Sequence, residues 1–137
     1  MNYVNTLILV APDCPAVAAE APPERAAGAT IGRIEYELIH DQPYTLTHEE
    51  VQFTVNVRRR GIGAELLAEQ RHRLWDKFFA KPMACMRTSA LPKRYGWGLH
   101  FDHNAKVALV AVQGEDYARL AADPAVVKVQ ATRSKRP

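Results

Sequence analysis

The residues best equipped for chemistry crowd into one stretch, MACMRTSALPKRYGWGLH, residues 83–100. It holds Cys85, Arg87, Thr88, Ser89, Lys93, Arg94, Tyr95, Trp97 and His100, with Gly96 and Gly98 flanking the tryptophan. Arg87, Lys93 and Arg94 offer charge and N–H donors suited to phosphate or carboxylate. Tyr95 and Trp97 offer flat faces for a ring and polar atoms at their edges. The glycines remove side chains beside Trp97, so that a ligand or a second backbone has room to approach. Together these residues describe a binding module for a small anionic ligand or an acidic partner segment, with Arg87, Ser89, Lys93, Arg94, Tyr95 and Trp97 as its contacts.

Other chemistries compete for the same residues. Cys85 lies near Arg87, whose charge favours thiolate, and with His100 it makes the candidate catalytic pair of a small enzyme. A buried, inert cysteine is the plainer reading. Ser89 and Thr88 more often cap turns than attack substrates. Alternation along a strand puts Tyr95, Trp97 and Leu99 on one side and Gly96, Gly98 and His100 on the other, so both aromatic rings also suit a core. For a metal, His100, Asp102 and His103 match no defined ligand spacing, and His48-Glu49-Glu50 lacks a second histidine. No metal or cofactor is expected. The basic tail, Arg58–Arg60 and Lys93-Arg94 would give at most weak nucleic-acid binding, since no recognition motif is present and the net charge is only +3.

The elements that must position these residues belong to one domain. A chain of 137 residues, 47% hydrophobic and 24% charged, buries enough surface for a single core without staples. It has no membrane-length apolar run, no signal-peptide pattern, and only two cysteines, Cys14 and Cys85. Those features predict a cytoplasmic protein. Residues 6–11 read as a buried strand. Residues 12–29 form an irregular Ala/Pro-rich excursion, and 132–137 a basic tail. Ile31, Ile34 and Leu38 recur at helical spacing.

Val51, Phe53, Val55 and Val57 alternate as a strand would. Thr47 and Glu50 make a capping box, however, Leu46 and Val51 a staple, and Gly61 a stop after Arg58–Arg60. Helix is the better fit. Residues 63–80 follow the 3.6 period, and 96–101 and 106–113 read as strands around a turn with Asn104 at positive φ. The second of these strands, apolar on both faces, is expected at the centre of the sheet. A short helix opens at Glu115, and Val126–Gln130 is a last strand. The expectation is an α+β fold: an antiparallel sheet of about four strands with three or four helices packed on it.

Six elements carry a resemblance. They are DCP (Asp13–Pro15), PY-x-x-T (Pro43–Thr47), FFAKP (Phe78–Pro82), C-x-R-x-S-x-L-x-KRYGWGLH (Cys85–His100), KVALVAV (Lys106–Val112) and RSKR (Arg133–Arg136). Together they resemble a bacterial family of about this length, catalogued only as a domain of unknown function. The resemblance spans nearly the whole chain. It implies one domain and the same site region, and it implies no activity.

Overall fold

In the computed structural model, which describes residues 2–134, strand β1 (Thr6–Leu9) lies inside the sheet. Leu7 and Ile8 point to opposite faces and both are fully buried, so each face of β1 must be covered. Strand β2 (Trp97–Phe101) pairs antiparallel with β1, setting Leu7 opposite His100. Strand β3 (Val107–Ala111) pairs antiparallel with β2. Strand β4 (Val127–Gln130) lies on the other side of β1 and runs parallel to it. The order is β3-β2-β1-β4.

This is a mixed sheet, which corrects the expected antiparallel one. Strand β4 runs in the same direction as β3, and the chain between them must cross over the sheet. Helix α5 (Glu115–Ala122) is that crossover. The residues of β4 mark a strand but carry no local record of its direction.

Strand β3 is also an edge, not the centre. Its free side is closed by the segment before the second helix. Tyr44 N–H donates to Val107 O, Val107 N–H donates to Leu46 O, and Thr47 bridges to Lys106. With α5 on one face and the first helix on the other, an edge strand becomes apolar all round.

The helical layer packs on the face made by Ile8, Leu99, Phe101 and Val107. Helix α1 (Ile31–Asp41) starts at Thr30, whose hydroxyl accepts from Arg33 N–H, and buries Ile34, Leu38 and Ile39. Helix α2 (His48–Arg60) begins with the full Thr47–Glu50 capping box and ends at Gly61, where φ is 64°. Glu50 is held below the usual carboxylate range. Burial opposes this, but bonds from Thr47 and the charge of Lys106 outweigh it. Helix α3 (Ala64–Phe78) buries no residue completely and kinks at Gln70. It rests on α2 through Trp75 and Phe78 against Phe53.

A fifth helix exceeds the expected three or four. It is α4 (Ala90–Arg94), a single turn inside the stretch read as irregular, preceded by a 3-10 turn at Met86–Thr88. Five residues are too few to display a period. Ser89 caps α4 by accepting from Leu91 N–H, and Pro92 sits in the first turn, where its missing donor costs nothing. In the β2–β3 turn the positive φ falls on Ala105 and not Asn104, because Asp102 Oδ1 accepts from both Asn104 and Lys106 N–H. Residues 12–29 carry no regular structure, and Lys135, Arg136 and Pro137 of the expected tail lie outside the described residues.

On the other face, Leu7, Val110, Leu120 and Val126 form a smaller cluster with Tyr117. Gly98 makes room there: a Cβ would lie 2.7 Å from Tyr117 Cε2. The ring cannot withdraw easily, since its hydroxyl accepts from Val10 N–H at 3.0 Å. Gly98→Ala should therefore lower stability by about 1–3 kcal/mol, read as a reduced urea midpoint with an unchanged slope.

Candidate functional site

Glu35 occupies a position on α1 where an apolar residue belongs, between Ile34 and Leu38 on the inner face. It is only 5% exposed. Its Oε1 accepts from Ser89 Oγ at 2.8 Å. That bond depends on the close approach of α1 to α4. Gly32 permits the approach, because a Cβ there would sit 3.1 Å from Ala90 Cβ. The same Ser89 hydroxyl that caps α4 thus also holds the carboxyl.

Burial pushes the Glu35 carboxyl up to about 7, and the Ser89 hydrogen bond opposes only part of the rise. Among the described residues, no cation stands close enough to restore the usual value. Glu35 lines an open cavity of about 650 Å³ between α1, α2 and residues 83–90. One turn-spaced row of α2, Gln52, Val55, Asn56, Arg59 and Arg60, forms its second wall. Met83, Ala84, Cys85, Met86 and Thr88 form the third, and Gln52 Nε2 donates to Ala84 O to hold that wall against α2.

The cavity is mostly apolar inside and charged at its mouth. Ile31 and Met83 are 47% and 37% exposed at its edge. Arg59 and Arg60 are exposed beside them. Arg58 pairs with Glu37, but Arg59 and Arg60 have no carboxylate partner among the described residues. A second cavity of about 340 Å³ shares Gln52, Met83 and Cys85 with the first and is lined also by Tyr3, His48 and Lys81. Cys85 therefore stands at the wall the two share. The Tyr3 hydroxyl is pushed up to about 12, first by burial and then by its contact with the Cys85 thiol. Tyr3 in turn stacks on His48, with ring centroids 5.5 Å apart.

Of the residues singled out in the sequence, Cys85 and Ser89 line the large cavity, together with Thr88. The others lie elsewhere. Arg87 Nε donates to Gln130 O and its own carbonyl accepts from Thr132, so it ties the 3-10 turn to the end of β4. Lys93 and Arg94 close the last turn of α4, with Arg94 exposed. Tyr95 O accepts from Glu20 N–H. Trp97 Nε1 donates to Glu20 O at 2.9 Å, and its ring lies against Tyr36 and His40. The indole is thus anchored between α1 and the Ala/Pro-rich segment.

His100 lies on the α5 side of the sheet, with Nδ1 2.7 Å from the Tyr44 hydroxyl. Burial lowers its proton affinity, against the pull of Asp102. Cys85, on the helical-layer side, and His100 are not brought together. No cluster of three or more His, Cys, Asp or Glu side chains suited to a metal occurs among the described residues.

Sequence reasoning misses Glu35, and a signal for it exists. A carboxylate at i+4 from Ile31, one residue past Ile34 and three before Leu38, sits on the apolar stripe itself. In the sequence Arg58–Arg60 mark the run before the Gly61 stop, and it is the fold that adds Arg59 and Arg60 to the lining of the cavity.

Fold and cavity together define an α+β domain with a mixed four-stranded sheet and a lined pocket in its helical layer. The whole chain, residues 1–137, matches the model of the Family of unknown function (DUF6157), and the protein belongs to that family. No curated protein and no solved structure matches it. Among the described residues, no helix is long and apolar enough to cross a membrane.

The buried carboxyl makes stability depend on pH. Folding raises the proton affinity of Glu35 from an ordinary 4.5 to about 7, so the native state binds more protons than the unfolded chain across that window. Stability is then greatest below pH 4.5 as far as this group is concerned, falls as pH rises towards 7, and levels off above. The loss amounts to about 3 kcal/mol. Glu35→Gln should flatten this slope and unfold at a higher urea concentration than the parent at pH 8. An unchanged slope would mean that the carboxyl ionises as it does in water.

Proposed function

We propose that this protein is a binding module for a small amphipathic anion, whose apolar body enters the cavity between α1, α2 and residues 83–90. The anionic group meets Arg59 and Arg60 at the mouth. One observation carries this reading: a mostly apolar cavity of about 650 Å³, of the size that holds small molecules, opens beside two guanidinium groups with no carboxylate partner among the described residues. The exposed Ile31 and Met83 at the edge suit an apolar ligand that is partly covered when bound. Of the cations in or near the 83–100 stretch, Arg87 is engaged by the Gln130 carbonyl, which leaves the α2 arginines better placed for a ligand. Two free cysteines fit a reducing compartment, and we place the protein in the cytoplasm.

A thermal-shift series with octanoate, an aromatic carboxylate and a nucleoside monophosphate tests this reading, because a ligand that binds only the native state raises the melting temperature. At least one carboxylate should raise it, and less so at high salt. The Arg59→Ala/Arg60→Ala double variant should weaken binding by about tenfold while melting like the parent. Asn56→Trp, which puts an indole into the cavity from a half-buried position, should abolish the shift. If Asn56→Trp binds as well as the parent, the ligand sits elsewhere and the reading fails.

A further inference from the structure

The cavity has chemistry at its floor as well as its mouth. An apolar tail alone would satisfy the walls, yet it would leave the Glu35 carboxyl buried with a single hydrogen bond, from Ser89. Buried carboxylates are ordinarily paired with a cation or several donors, because desolvation without compensation costs several kcal/mol. Among the described residues no side chain supplies that cation, and Glu35 is one of the residues that line the cavity. Glu35 at the floor and the arginines at the mouth present opposite charges to one ligand.

We infer that the ligand is bifunctional, with a primary ammonium group that meets the Glu35 carboxylate while its acid group meets Arg59 and Arg60. This rests on the anion-binding reading above and adds the chemical class: an amphipathic ω-amino acid or a molecule of the same polarity. The ammonium would donate to Glu35 Oε1 or Oε2 alongside the Ser89 hydroxyl. A hydroxyl in its place would make a weaker, uncharged bond, and a methyl would make none. Below pH 7 the unliganded carboxyl is largely protonated. An ammonium that arrives with its charge must then displace the proton, so binding releases it.

Calorimetric titration with ω-aminooctanoate, ω-hydroxyoctanoate and octanoate, three probes alike except at one end, decides the matter. The amino acid should bind at least about tenfold more tightly than octanoate, with the hydroxy acid between them, as expected for a charge-assisted bond to a buried carboxyl. In Glu35→Gln that preference should vanish, the affinities for the amino acid and octanoate coming within about twofold of each other. At pH 6, titrations in two buffers of different ionisation enthalpy should show release of about one proton with ω-aminooctanoate and none with octanoate. The other ionisable groups on these walls are Arg59 and Arg60 from α2 and Cys85 from the third wall. Guanidinium groups do not deprotonate in this range, and a Cys85→Ser background removes the thiol.

Octanoate binding as tightly as the amino acid, or a preference that survives Glu35→Gln, overturns the inference and leaves the binding module standing. If none of the three binds, the inference falls, and the binding module then rests on the aromatic carboxylate of the thermal-shift series. Should Glu35→Gln fail to fold, the proton count on the parent protein is decisive by itself.

Discussion

A carboxyl group on the inner face of α1, satisfied by one serine hydroxyl, sets the terms for much of the helical layer. Glu35 Oε1 and Ser89 Oγ meet where α1 and α4 pack closely at Gly32, and Ser89 is at once the cap of α4 and the donor to Glu35. A buried carboxylate is unfavourable against hydrocarbon, and Glu35 is also one of the residues that line the open cavity between α1, α2 and residues 83–90.

The walls of that cavity are held by contacts made far away in the chain. The strip at residues 83–88 is tethered to α2 through Gln52 and Ala84, and to the end of β4 through Arg87 and Gln130. The second tether also covers an outward carbonyl of an edge strand, a group that would otherwise be free to pair with another chain. The Ala/Pro-rich segment has a comparable part: it has no regular structure, yet Glu20 receives the Trp97 N–H and bonds the backbone of Tyr95. Trp97 is thereby fixed against Tyr36 and His40 as part of the packing. Aromatic and cationic residues close together in sequence turn out to serve three different joints of the fold.

Much of the secondary structure is legible in the sequence because its signals are local. The Thr47–Glu50 box, the left-handed Gly61 and the apolar period of α1 each act within one or two turns, and each is present in the fold. Residues 48–60 form a helix and not a strand, since end signals outweigh an alternation that Val51, Phe53, Val55 and Val57 share with both structures. Features that depend on the chain's path are not legible. The parallel sense of β4, the edge position of β3 and the single turn of α4 depend on crossover geometry, on cover by the segment at 44–47, and on contact with α1. The left-handed residue at the β2–β3 turn is Ala105 because the Asp102 carboxylate claims the neighbouring N–H groups.

The sequence by itself determined the α+β class, the positions of the four strands and of α1, α2, α3 and α5 within a few residues, and the caps of α2, because these follow from side-chain periodicity and backbone hydrogen bonding over short spans. Only the tertiary structure decided which chemical groups share a space. Ser89 and Cys85 were drawn into a cavity with Glu35, Arg59 and Arg60 from two earlier helices, while Arg87, Trp97 and His100 were sent to other joints and the opposite sheet face. Adjacent residues on a strand point apart by half a turn, and residues far apart in the chain, such as Glu35 and Ser89, can meet when helices pack. A site made by convergence has no counterpart in linear spacing.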